Sequence, residues 1–297
     1  MLARMRWLRF ALVPAVLLAA CVASGSEATT TTSTMAAAAT TTTTRAGNLP
    51  PCLAGDTEFG QSGVVAAFGN DLDDAVQIAS IRREGYEGCE RLVVDFLTGD
   101  GAPAATLGPT ATSFRPEAGI VRITLPAEVT ASAIADLTFD GTSIRQAFVV
   151  RTREGELAVD VHLAATAVVL VRSMGTRSPA QVIVDIKPDA EGIPRQNAPA
   201  VGENVVVLSP GPGPITYPIA VQGYARTFEG TVVARLTGGD GVTAVEEVTT
   251  ATDWLDVWGE FALTLTDGPT GPIGLFVGED SPEDGREVGV RLDLEVP

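Results

Sequence analysis

The chain has 297 residues, with 20 basic and 37 acidic side chains and a formal charge of −17. Such an acidic surface repels phosphate backbones and anionic headgroups, which argues against nucleic-acid binding and against a basic membrane-binding patch. The length suits one or two ordinary domains with real cores.

In chain order, the first element is an export signal. Arg4, Arg6 and Arg9 precede an apolar run from Phe10 to Ala20 that ends Leu17-Leu18-Ala19-Ala20-Cys21. The run is too short for a permanent membrane span. Small residues directly before a cysteine resemble the lipobox of bacterial lipoproteins. That resemblance implies cleavage after residue 20, lipidation at Cys21 and anchorage to a membrane face outside the cytoplasm. Residues 1–20 hold three arginines and no acid, so their removal takes the formal charge from −17 to −20. Residues 21–50 then read as anchor and tether. Ser24 to Arg45 is nearly all Thr, Ser and Ala, lacks any apolar period and is expected to be disordered. As a flexible coil, the roughly 30 residues from Cys21 to Pro51 would span about 30 Å.

Besides Cys21, two cysteines remain, Cys52 and Cys89. An isolated pair in an exported protein is most simply a disulfide, worth about 3–4 kcal/mol in the chain-entropy model. A redox or metal role would want C-x-x-C spacing or partner histidines, and the sequence has neither.

From Gly55 onward the pattern is strand after strand. Residues 75–82, 91–97, 119–125, 145–151, 157–163, 167–172 and 181–187 are short β-branched runs separated by Gly, Pro, Asp or Thr. Residues 127–135 read as one short helix or turn, and 182–186 as a buried strand closing this half. Pro188 to Glu203 reads as a linker. Seven further strands follow at 204–208, 217–225, 231–236, 244–250, 260–266, 273–277 and 288–295, a number and spacing that suit an immunoglobulin-like sandwich. The expected architecture is all-β: two tandem β-sandwich-like domains, 51–188 and 204–297, joined by a linker at 189–203.

Val207-Leu208-Ser209-Pro210, then Tyr217-Pro218-Ile219-Ala220-Val221-Gln222-Gly223-Tyr224-Ala225, then Phe228-Glu229-Gly230-Thr231-Val232 and the closing 288–296 strand resemble a known module. It is the immunoglobulin-like domain named after bacterial spore germination proteins, covering roughly 204–297. The resemblance implies an accessory envelope module and carries no catalytic residue. Gly85-Tyr86-Glu87-Gly88-Cys89 through Phe96, Ala147–Arg151 and Ser178–Ile186 resemble an AMIN-like domain over about 57–187. That likeness implies a β-rich module that helps place proteins in the cell wall. The cysteine pair departs from many members of that family.

Chemistry is sparse. His162 is the sole histidine and lies in the alternating strand Val159-Asp160-Val161-His162-Leu163, so it reads as a packed or surface strand residue. Neither a Ser-His-Asp set with a G-x-S-x-G turn nor a zinc ligand set is present, and no cofactor is implied. Acids cluster at Asp71, Asp73 and Asp74 and at Glu279, Asp280, Glu283 and Asp284, in Gly- and Pro-punctuated loops that read as solvated. Trp254, Trp258 and Phe261 read as core or edge packing. The expected function is therefore binding of cell-wall material or of an envelope protein partner. A ligand-free spacer or assembly factor is the first alternative, and a carboxylate-dependent carbohydrate-active enzyme the second. The enzyme reading requires its acids to face one concave pocket.

Overall fold

The computed structural model describes residues 58–297 except 166, 191 and 197. The chain divides after Asn48, and the unit Leu49–Pro297 contains every described residue. The signal segment, Cys21, the Thr-rich stretch and Cys52 lie outside the described residues.

The N-terminal half runs β1 (Gly63–Phe68), β2 (Gln77–Tyr86), β3 (Cys89–Leu97), β4 (Thr110–Arg115), β5 (Ile120–Thr124), β6 (Ala131–Ser132), β7 (Asp136–Thr138), β8 (Ile144–Arg151), β9 (Leu157–Leu163), β10 (Val169–Thr176) and β11 (Gln181–Pro188). The C-terminal half runs β12 (Ala200–Val201), β13 (Val205–Ser209), β14 (Gly213–Pro214), β15 (Ile219–Ala225), a single 3-10 turn at Phe228–Gly230, β16 (Thr231–Thr237), β17 (Thr243–Thr250), β18 (Trp258–Leu265), β19 (Gly271–Asp280) and β20 (Glu287–Val296). Every strand expected from β-branched runs is present. Of the additional strands, β6, β7, β12 and β14 span two or three residues, while β1 and β4 span six. In β4, the buried positions are Thr110, Thr112 and Phe114, so its inward face carries hydroxyls that hide the alternation. Thr112 satisfies its own hydroxyl against Ser173 at 2.8 Å. Within residues 127–135, a turn at 127–128 leads into β6, and β12 falls inside the stretch read as a linker.

Three sheets build the molecule. Strands β10-β11-β3-β2-β6 form one, β14-β20-β19-β16-β17 another, and a ten-stranded sheet follows the path β1-β4-β5-β9-β8-β18-β15-β13-β12, with β7 beside β8. The long sheet serves both halves. Its β4, β5, β8 and β9 close the N-terminal core against β2, β3, β10 and β11, through Phe114, Val121, Ile123, Val149, Val159, Leu92, Val94 and Val184. Its β13, β15 and β18 close a second core against β16, β19 and β20, through Val205, Val221, Phe261, Leu236, Leu275 and Val277. The two tandem sandwiches thus share a layer. The splice is a short parallel pairing of β18 with β8, Trp258 opposite Val150 and Gly259 opposite Arg151.

Candidate functional site

The shared layer brings together the faces of β8–β9 and β13–β15–β18 that point away from both cores. On β9 every residue is buried, because Leu157, Val159 and Val161 enter the N-terminal core while Asp160 and His162 enter the junction. Phe148, Val150, Val206, Tyr224 and Trp258 form a third apolar cluster there. The Phe148 ring lies 5.2 Å from Trp258 edge-on and 5.3 Å from Tyr224. The Tyr224 hydroxyl bonds His162 Nε2 across the junction. Burial drives the His162 pKa down to about 4; Asp160 opposes this, while Arg195, Arg115 and Arg122 reinforce it.

Charge is matched inside the same layer. Asp160 is fully buried, which alone would raise its pKa, but Arg122 reverses the shift with two 2.7 Å bonds. The remaining Arg122 nitrogen reaches Glu260 of β18 at 2.7 Å. Glu260 also accepts the Arg153 N–H at 3.1 Å. Trp258 Nε1 donates to Asp136 at 2.9 Å and the Thr252 hydroxyl donates to the Arg151 carbonyl at 2.6 Å. A Cβ at Gly259 would sit 2.2 Å from the Asp253 nitrogen, so only glycine lets the 252–257 loop fold over β18.

That loop holds an apolar ridge in water. Phe228, Trp254 and Leu255 are 54%, 36% and 64% exposed, and the two rings stand 6.1 Å apart. Both supporting loops are fixed. Asp253 Oδ1 accepts the N–H groups of Trp254, Leu255 and Asp256 at 2.7, 3.1 and 3.3 Å. The other Asp253 oxygen pairs with Arg151 at 3.4 Å, and Arg226 donates to the Leu255 carbonyl at 3.2 Å. The Phe228 N–H donates to Glu279 at 2.6 Å, and Glu229 turns the chain at a φ of 55°. Trp258 and Phe261 pack as expected of them, whereas Trp254 does not enter a core. Phe228, read from sequence as part of a turn, joins Trp254 because the 3-10 turn and the 252–257 loop meet in space.

The acidic clusters do not converge on one pocket. Asp74 accepts the N–H groups of Thr106 and Ala105, which lowers its pKa, while Asp73 is raised by burial, Glu128 and Asp74. Asp280 pairs with Arg235 at 2.6 Å, Glu279 holds Asn204 and Phe228, and Asp284 caps the Arg286 N–H at 3.1 Å. A cleft of about 500 Å³ beside β1 and β4 is lined by Phe68, Thr110, Leu125 and Pro126, with Glu128 and Glu156 its acids. Among the described residues, no group of three or more His, Cys, Asp or Glu is arranged to hold a metal ion. Cys89 opens β3 and is 4% exposed.

No curated protein and no solved structure is significantly similar to the chain. Residues 204–286, which run from just before β13 to the hairpin entering β20, match the family described as the immunoglobulin-like domain of bacterial spore germination.

Proposed function

We propose that the protein is a non-enzymatic lipoprotein of the bacterial cell envelope, anchored through Cys21, whose β domains bind cell-wall material or an envelope protein partner. In this reading residues 1–20 are a cleaved signal peptide, the Thr-rich stretch is the tether, and the N-terminal sandwich is an AMIN-like module. Stable anchorage takes two or more acyl chains, since one gives only marginal membrane binding. The observation that carries the binding role is the ridge of Phe228, Trp254 and Leu255, exposed on two loops that hydrogen bonds and an ion pair hold rigid. Exposed aromatics already ordered in the free protein lose little entropy when a ligand covers them. A passive spacer has no use for such a ridge.

Co-sedimentation of residues 49–297 with purified sacculi tests the reading. Saturable binding that drops at least tenfold in a Phe228→Ala, Trp254→Ala double variant is the expected result. Binding left intact by the double variant removes the ridge from the site, and no sedimentation at all shifts the ligand to a protein, sought by crosslinking in cells. For the anchor, Cys21→Ser should move the protein out of the detergent phase; unchanged partitioning would refute lipidation.

A further inference from the structure

The eight-residue strand β17 ends its sheet with one edge open. Among the described residues it pairs with β16 alone, and no backbone group of Thr243–Thr250 bonds any other segment. The phase of the pairing follows from its end. The Ala251 N–H donates to the Gly230 carbonyl at 2.8 Å, one step beyond the Thr231–Thr250 pair. Hydrogen-bonded pairs alternate along an antiparallel ladder, so Val245, Glu247 and Thr249 turn their backbone groups to β16. Glu246, Val248 and Thr250 turn theirs away from it. Thr252 keeps the same phase, its N–H pointing away from β16 and reaching the Glu260 carbonyl at 3.0 Å.

Side chains on the strand alternate as well. Val245 packs toward the C-terminal core, which places Glu246, Val248 and Thr250 on the opposite, outer face. There Val248 is 58% exposed beside its neighbour Val233 on β16. The row leads to the aromatic ridge. A methyl group at Gly230 would stand 3.4 Å from the Thr250 methyl and 3.5 Å from the Trp254 ring, so the indole lies at the end of β17. Charge along the strand is negative. Arg235 meets Glu246 and Asp280 at 2.6 Å and Glu287 at 3.0 Å, and Arg291 shares Glu287. Glu247 is exposed, with no ion pair among the described residues.

We infer that β17 is the docking edge for an extended, basic segment of a partner protein, which joins the sheet as a sixth strand and ends against Trp254. The inference rests on the reading that the ridge binds a ligand, and of the two ligands named there it selects the protein. Three features choose this occupant. Outward N–H and C=O groups at every second residue match another peptide backbone, a repeat that a glycan lacks. Val248 and Trp254 favour apolar side chains on the outer face of the added strand. Glu246 and Glu247 favour Lys or Arg beside them. A second copy of this chain is a poor match, because antiparallel pairing of β17 with itself about its centre sets Glu246 and Glu247 against like charges. Two other edges are worse templates. A bulge between Val64 and Ala66 breaks the run of β1, and Gly60 already occupies Val171 on β10.

The test is amide hydrogen exchange, read residue by residue on the full chain in detergent. In the free protein the Glu246 and Val248 amides should exchange at least tenfold faster than those of Val245 and Glu247. The probe is the acetylated, amidated peptide Thr-Val-Lys-Lys-Val-Thr-Val-Thr in hundredfold excess, which should slow Glu246 and Val248 at least fivefold. Its fully N-methylated form, and the form with Glu in place of both Lys, should slow neither. Val248→Pro removes only an outward N–H and should weaken the peptide at least tenfold; Glu247→Lys, at an exposed side chain, should weaken it at least fivefold. Equal exchange in the two phases of the free strand overturns the inference. So does exchange that the peptide leaves unchanged, or slowing that the N-methylated form retains. Slowing that grows with protein concentration and needs no peptide also overturns it, and assigns the edge to a second copy. Sacculus co-sedimentation separates this outcome from the wider reading: sacculus binding lost in the Phe228→Ala, Trp254→Ala variant, with no effect of the peptide on exchange, keeps the ridge as a binding site and sinks the strand docking alone.

Discussion

His162 shows how burial, reinforced by nearby arginines, turns an ordinary strand residue into a determinant of stability. Its folded pKa of about 4 lies below the ordinary value of 6.5, so the unfolded chain binds the proton first as pH falls. The stability it contributes is fully present above pH 6.5 and is lost as pH drops toward 4. Urea midpoints at pH 7 and pH 5 should differ in that direction, and His162→Gln should flatten the slope at a cost of about 1–2 kcal/mol at pH 7. Glu90 governs the more acidic range. Its burial would raise the pKa, but bonds from Arg83, the Ile144 N–H and Thr142 outweigh it and hold the value at about 2, against 4.5 ordinarily. That contribution is complete above about pH 4.5 and disappears as pH falls toward 2. Glu90→Ala should cost about 3 kcal/mol at neutral pH, since it strands Arg83 and two backbone donors, and should remove the acid-side loss. Thermal melts from pH 2 to 5 decide it.

Among the elements, β18 bears the most because it belongs to both halves. Its Phe261 and Leu265 pack in the C-terminal core, while Trp258 packs at the junction and Glu260 meets Arg122. Gly259 is the hinge of this arrangement, with the 252–257 loop folded back so tightly that a methyl group has no room. Gly259→Ala should cost about 1–3 kcal/mol by forcing that loop outward. The same change should lower ligand binding through the displaced Trp254, even though residue 259 touches no ligand. Unchanged stability together with unchanged sacculus binding would show that the loop does not depend on the close approach.

At the scale of the whole molecule, a shared sheet makes two sandwiches into one cooperative body. Separating them would expose Val206, Tyr224 and Trp258, all under 5% exposed, and strand the buried Asp160–Arg122 pair beside an unpaired Glu260. Calorimetry of residues 49–297 should therefore show a single transition. Trp258→Ala, with an expected cost of about 3–5 kcal/mol, should resolve it into two. Two transitions in the unmodified protein would mean the junction contributes little.

The all-β class, the main strands and the immunoglobulin-like C-terminal half were legible in residues 75–295, because β-branched runs bounded by Gly and Pro encode strands locally. The solvated character of Glu283 and Asp284 was legible in the same way. Of the strands that escaped notice, β4 places threonines on a buried face, β6, β7, β12 and β14 extend for two or three residues, too few to establish an alternation, and β1 runs Gly-Val-Val-Ala-Ala-Phe with no polar residue to mark one. What only the tertiary structure decided is everything that crosses the junction. His162 meets Tyr224 across 62 residues of sequence, and Trp258 meets Asp136 across 122. A strand's own pattern states which face is apolar, not which partner covers it, and β9 is buried on both faces, Asp160 and His162 included, only because two different layers close over it. The pairing of Phe228 with Trp254 has the same origin, in two loops brought side by side by the sheets beneath them.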